Sequence, residues 1–245
     1  AFTGATPQAF GQSNLVVWDL YGKFSLGSAS TNYSANGIQA TSITGGPGIS
    51  VQGGIDSALG ATRFFMTNAS DAIANQSYFE LTVTPTVNYS LSFSALNSML
   101  FRTTGGTTNG PTNAAWYWSR NNYATALAST NSVSTSAGGA AFNVSLSTNG
   151  ITDATTFRLY GWNGDNNGKL AIIASASASQ NPALLGAATL RAASSLAWGG
   201  GLGNGSWAAY DATNATKANW GGNITPINGD TLVFAGTTQT NTTNN

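Results

Sequence analysis

The sequence predicts an all-β protein: an antiparallel β-sandwich of jelly-roll type over residues 1–180, then a small β-rich module or extended arm over residues 181–245. Three observations lead there. Polarity is carried by 32 Thr, 27 Ser and 26 Asn, and only 7% of the 245 residues are charged, against roughly 25% in an ordinary domain. Hydrophobic residues make up 41% and aromatic residues 11%, too much apolar surface for a disordered low-complexity chain. Short runs alternate apolar and polar residues at period two between Gly/Asn/Pro clusters, with no long helical period among them.

The strands follow in order. Leu15 to Phe24 is strand-like and holds the Trp18-Asp19 pair. Gly45-Gly46-Pro47-Gly48 then breaks the pattern. Phe79, Leu81 and Val83 share one face of a half-buried strand, with Tyr78, Glu80, Thr82 and Thr84 on the other. Tyr89, Leu91, Phe93 and Ala95 alternate with Ser90, Ser92 and Ser94 in the next run. Pro85 and Asn88 between the two runs predict a hairpin or a tight corner. Phe142, Val144 and Leu146 form a further alternating set, as do Phe157 and Leu159 with Arg158 and Tyr160, and Lys169 to Ile173 is a short apolar strand. Ala183 to Ala193 is Ala/Leu-rich and predicts a short helix or an extended linker, which puts the domain boundary near residue 180. Beyond it, Trp198, Trp207 and Trp220 precede Asn228-Gly229-Asp230-Thr231-Leu232-Val233-Phe234.

Composition narrows the chemistry. The chain has no Cys and no His, which excludes disulfides, thiolate nucleophiles, Cys/His zinc sites and His-based triads. Eight basic residues balance eight acidic ones, so the phosphate neutralisation that drives nucleic-acid binding has no basic stripe to rest on. No apolar run reaches the roughly 18 residues of a membrane-spanning helix. No basic segment with an apolar stretch opens the chain, so the expectation is an exported protein whose signal peptide has been removed.

Few residues are candidates for a site. Glu80 is the only Glu; a glycosidase would need a second carboxylate at a defined separation, and no Asp is paired with Glu80 by sequence. The favoured reading is a strand-face carboxylate facing Arg63 or Arg102. In Gly164-Asp165-Asn166-Asn167-Gly168 the oxygen-rich residues Asp165, Asn166 and Asn167 read as a tight turn, with a structural Ca²⁺ site as the alternative; no other cofactor is expected. Trp116-Tyr117-Trp118, flanked by Asn113, Arg120 and Asn121, reads as two core tryptophans with Tyr117 facing out. The alternative is a sugar-stacking patch formed by Trp116, Tyr117, Trp118 and Arg120. Trp162 and Tyr160 carry the same pair of readings. Nine Asn-x-Ser/Thr triplets follow from the composition. The polar tail Thr237 to Asn245, with Leu232, Val233 and Phe234 ahead of it, is a candidate for strand addition onto a neighbouring copy.

Two stretches resemble known families. Leu196-Ala197-Trp198, Trp207, Asn219-Trp220 and Gly229-Asp230-Thr231-Leu232-Val233-Phe234 resemble the start of an autotransporter-associated β-strand repeat region. Val17-Trp18-Asp19, Tyr78-Phe79-Glu80-Leu81-Thr82-Val83-Thr84-Pro85 and Phe157-Arg158-Leu159-Tyr160-Gly161 resemble a sandwich domain of secreted bacterial proteins that carry a Pro-Glu-Pro sorting signal. Both resemblances imply an exported bacterial surface or matrix protein. The expectation is therefore a non-enzymatic extracellular structural or adhesive protein, assembling with copies of itself through strand edges. A polysaccharide-binding module is the alternative, and a hydrolase using Glu80 ranks last.

Overall fold

The computed structural model describes residues 13–23, 27–52, 56–105, 108–174, 176–198, 220 and 224–234. The chain divides into two compact units, one of Ala1–Pro85 and Leu91–Ala188, the other of Thr86–Ser90 and Thr189–Asn245.

The larger unit is nearly all β, with antiparallel sheets packed against each other. One sheet runs Val144–Ser145, Tyr89–Asn97, Ala183–Leu190, Ser13–Trp18 and Thr31–Ser34. A second runs Ala128–Thr130, Asn113–Trp118, Thr155–Trp162, Tyr78–Pro85 and Ile38–Ala40, with Thr44–Gly45 also on Tyr78–Pro85. The third runs Ala140–Ala141, Met99–Arg102, Leu170–Ile173, Ala58–Thr62 and Ser50–Gln52. Their inner faces meet in a single cluster. Leu15, Leu91, Phe93 and Leu184 come from the first sheet, Phe79, Leu81, Val83, Trp116 and Phe157 from the second, and Leu59, Leu100, Leu170 and Ile172 from the third. The period-two sets of the 78–84 and 155–162 segments put these apolar side chains inward as their alternation demands.

The 78–85 and 89–97 runs are joined by a corner, since the two strands belong to different sheets. The second run then crosses into the third sheet at Ser98, a buried pivot. Ser98 Oγ donates to the Phe142 carbonyl at 2.6 Å and accepts from Trp116 Nε1 at 3.3 Å, while its N–H donates to Asn143 Oδ1 at 3.3 Å.

The Ala/Leu-rich run is neither helix nor linker: Ala183–Leu190 is a strand inside the first sheet, between Tyr89–Asn97 and Ser13–Trp18. Pairing on both edges overrides the helical preference of Ala and Leu. Gly186 permits that placement, because a Cβ there would stand 1.9 Å from the Ser92 carbonyl oxygen. One helix escapes the sequence reading. Ala69–Ala74 is capped by Asn68, whose side chain accepts the Asp71 N–H at 2.9 Å while Asp71 Oδ2 accepts from Asn68 Nδ2 at 2.9 Å. No helix among the described residues is long and apolar enough to cross a membrane.

The smaller unit is built differently. Ser195–Ala197 and Thr231–Val233 pair in parallel, over a cluster of Leu196, Trp198 and Trp220 with Ile224 and Leu232. The Trp198 and Trp220 rings meet edge to face at 5.1 Å. Arg191 donates from Nη1 to Asp230 Oδ1 at 2.8 Å and from Nη2 to Oδ2 at 2.5 Å, a bidentate geometry. The Ser194 and Ile227 N–H groups donate to the same carboxylate, whose side chain is 1% exposed. Hydrogen bonds from Arg191, then those from Ile227 and Ser194, hold the Asp230 carboxyl well below the usual carboxylate range. A depressed folded-state pKa contributes stability that is complete above the unfolded value of about 4 and fades as pH falls through the folded value. Asp230→Asn is therefore expected to unfold this unit more readily at neutral pH, and the gap from wild type should shrink in acid. Proteolysis rates across a pH series with an acid-active protease check this; a gap that stays constant into strong acid contradicts it.

Candidate functional site

The molecule offers two features beyond its core: the outer face of the second sheet and the uncharged edges of all three sheets. On the outer face, register fixes a grid. Tyr160 lies between Ala115 and Tyr78, and Arg158 lies between Tyr117 and Glu80, which itself opposes Thr44. Thr156 faces Thr82 in the next row, their hydroxyls 2.8 Å apart. Helix Ala69–Ala74 covers part of the grid, so Tyr78, Tyr117 and Tyr160 are buried with Ala72 in a second apolar cluster. Burial pushes all three phenol groups above their ordinary pKa, which keeps them neutral.

At the margin of that cluster Arg158 Nε donates to Glu80 Oε2 at 2.6 Å. Its guanidinium stands 4.2 Å from the centre of the Tyr78 ring and 4.3 Å from that of Tyr123, a double cation–π contact. Tyr123 reaches this place from a backbone in which Asn122 and Tyr123 both have positive φ, 53° and 57°, strain that the stacked ring helps to offset. The partner of Glu80 is thus Arg158 from the neighbouring strand, correcting the expected Arg63 or Arg102. Arg102 Nε instead donates to the Val133 carbonyl at 3.1 Å. The arrangement orders a charge pair between aromatic rings. Among the described residues no three His, Cys, Asp or Glu side chains gather where a metal could bind.

The tryptophan run divides across its sheet. Trp116 is 1% exposed and lies in the main core. Trp118 is half-buried against that core, 6.1 Å from Phe157. Tyr117, expected to face out, is only 8% exposed because the short helix covers its face. Arg120 follows in a 3₁₀ turn, where Nη1 donates to Asp153 at 2.7 Å. The four residues do not form a common ring-bearing surface: Trp116 and Trp118 pack inward, Tyr117 joins the opposite face, and Arg120 serves a surface pair.

In the Gly164–Gly168 loop, Asp165 Oδ2 accepts from the Asn109 N–H at 2.9 Å and from Asn109 Nδ2 at 3.1 Å, and the Asp165 N–H donates to the Asn109 carbonyl at 2.7 Å. The Asn166 carbonyl accepts from the Arg63 N–H at 3.0 Å, and the Asp165 carbonyl from the Gly168 N–H at 3.1 Å. These are the bonds of a turn knitted to the 108–110 segment; Asn167 lies within it.

Leu232 packs in the smaller unit's cluster, and its strand pairs inside its own unit. Val233 and Phe234 are exposed on it, Phe234 by 49% with its ring 5.4 Å from Trp220. Phe24, Trp207, Asn219, Asp211 and the tail Thr237 to Asn245 lie outside the described residues.

The edges were legible only as a composition. Thr31–Ser34, Val144–Ser145, Ala128–Thr130, Ile38–Ala40, Thr44–Gly45, Ala140–Ala141 and Ser50–Gln52 carry no charged residue and no Pro. Thr31–Ser34 is the longest of them. It pairs on one side with Ser13–Trp18, all four residues are exposed, and Tyr33 is 50% exposed. Register shifts opposite Val17 and Trp18, leaving Asn32 as a bulge that bends this edge. No family model matches the chain, and neither does any curated protein or solved structure.

Proposed function

We propose that this is a non-enzymatic structural protein of the bacterial cell surface or extracellular matrix, which assembles with copies of itself by pairing strand edges. The observation that carries the reading is the Thr31–Ser34 edge. A strand at the end of a sheet presents unpaired N–H and C=O groups, and proteins that stay monomeric blunt such edges with Lys, Pro or inward charges. Here the edge is four residues long, exposed at every residue and uncharged. Its one blunting device is the bulge at Asn32; because the Ala35 N–H donates to the Leu15 carbonyl, the alternation of the ladder turns the Tyr33 backbone to Ser13–Trp18 and the Ser34 backbone outward, where a neighbour's strand can add. A chain with 7% charged residues also brings little like-charge repulsion to such a contact. The surface or matrix location rests on the resemblances carried by the 78–85 and 196–234 segments.

The test is assembly itself. Purified chain is expected to form oligomers or filaments that grow with concentration in sedimentation velocity and electron microscopy. Asn32→Lys and Ser34→Pro should reduce assembly at least tenfold by mass, with the far-ultraviolet dichroism of the parent retained, because both changes fall on outward-facing positions of an exposed edge. A monodisperse monomer over the whole concentration range would refute the reading.

A further inference from the structure

The bonds that hold Thr31–Ser34 to its own sheet restrict how a second copy can meet it. The Asp19 N–H donates to the Ser30 carbonyl at 2.8 Å, and the Ala35 N–H donates to the Leu15 carbonyl at 2.7 Å. Between those ties Tyr33 is paired with Val17. The alternation of the ladder therefore leaves Ser34, and Asn32 of the bulge, turned outward. Past Ala35 the strand is over, because Asn36 and Gly37 form a turn with Gly37 at φ 86°.

Three antiparallel registers, each about a two-fold axis, would centre a second copy on this edge. An axis at Asn32 sets Ser34 against the copy's Ser30, whose carbonyl is turned the other way, to Asp19. An axis at Ser34 pairs that residue with itself alone, since the next outward position, Asn36, lies in the turn. An axis at Tyr33 sets Asn32 opposite Ser34 on both sides and so uses every outward position of the strand. Tyr33 then stands opposite Tyr33 of the second copy in a non-hydrogen-bonded pair, with Cα atoms about 4.5 Å apart. Its ring is the most exposed large hydrophobic side chain among the described residues, and an aromatic pair across strands is stabilising. Charge also favours a copy over another partner. No charged residue lies between Lys23 and Asp56 in the sequence, so a charged strand finds no counter-charge on this edge and an identical one meets no repulsion.

We infer that two copies join about a two-fold axis through Tyr33, with Asn32 and Ser34 exchanging backbone hydrogen bonds across it. The contact merges two five-stranded sheets into one. It rests on the strand-edge assembly proposed above and names the register of that contact. A two-fold contact closes on itself, so the dimer is the unit from which any larger assembly is built.

The experiment is a single-cysteine scan, since the chain has no Cys of its own. Tyr33→Cys, Asn32→Cys and Ser34→Cys are each oxidised mildly and run on a non-reducing gel. Tyr33→Cys should form covalent dimer about tenfold faster than the other two, because only its Cα atoms meet within the roughly 7 Å that a disulfide spans. In this register Asn32 and Ser34 stand two residues away from their own counterparts, about 8–9 Å apart. A charge swap reads the same axis without a thiol. Tyr33→Glu and Tyr33→Lys should each associate at least tenfold more weakly than the parent in sedimentation velocity, and an equimolar mixture of the two should recover association. Fastest cross-linking at Asn32 or Ser34, equal cross-linking at all three, or no recovery on mixing overturns the two-fold register while the parent's association still upholds strand-edge assembly. A parent chain that stays monomeric overturns both.

Discussion

Trp18→Ala is expected to lower the stability of the protein by about 5 kcal/mol. The ring is fully buried, and truncating a buried Trp costs about 3–5 kcal/mol in lost burial and residual cavity. A second loss adds to it. Trp18 Nε1 donates to the Thr41 carbonyl at 2.8 Å, and an acceptor stripped of its donor inside the fold costs a further ~1 kcal/mol. That bond also joins two sheets, because Trp18 lies in the first while the Thr41 N–H donates to Thr82 of the second at 2.9 Å. At roughly 2–4 °C per kcal/mol for a domain of this size, the midpoint should fall by on the order of 15 °C. Trp18→Phe, which keeps most of the ring and loses the donor, should fall less than half as far. Thermal unfolding followed by circular dichroism reads both. A drop of only a few degrees in Trp18→Ala would mean that the two sheets do not depend on this ring.

Arg158→Ala should cost about 2 kcal/mol. Three contacts go together: the bond to Glu80, and the stacks on Tyr78 and Tyr123. The pair is neither dry nor fully wet, with side chains 25% and 30% exposed, so its value lies between the few tenths typical of a surface pair and the several kcal/mol of a buried pair that is broken. Glu80→Gln keeps an acceptor opposite the guanidinium and should cost about 1 kcal/mol. A double-mutant cycle with Arg158→Met and Glu80→Gln should return a coupling of about 1 kcal/mol. Tyr123 supplies an independent readout: without the cation beneath its ring, the left-handed backbone at Asn122 and Tyr123 loses a compensating contact, and amide exchange in the 119–124 turn should accelerate. Additive mutations with an unchanged turn would remove the network from the account of this face.

The smaller effects separate along the same lines. Asp230 acts inside its own unit through a bidentate pair and two backbone donors, so its signature is acid sensitivity. Thr31–Ser34 acts between molecules, so its signature is concentration dependence.

What the sequence determined by itself is the class of the fold and the inward face of its best strands. Period two in residues 78–84 and 157–160 set which apolar side chains turn inward, and the scarcity of charge left the described edges uncharged wherever they fell. Even the missed helix had a local signal, the Asn68–Asp71 cap, though six residues are too few for a helical period to register. What only the tertiary structure decided is pairing across long separations. Ala183–Leu190 became an inner strand because residues 13–18 and 89–97 offered it two edges, against its own Ala/Leu preference. Tyr117 was buried by a helix that lies about forty residues earlier in the chain, and Glu80 found Arg158 through a register set by whole strands. Alternation fixes which side chains share a face of a strand, but it carries no information about what comes to lie on that face, and the partner of an outward residue is settled only when distant segments close around it.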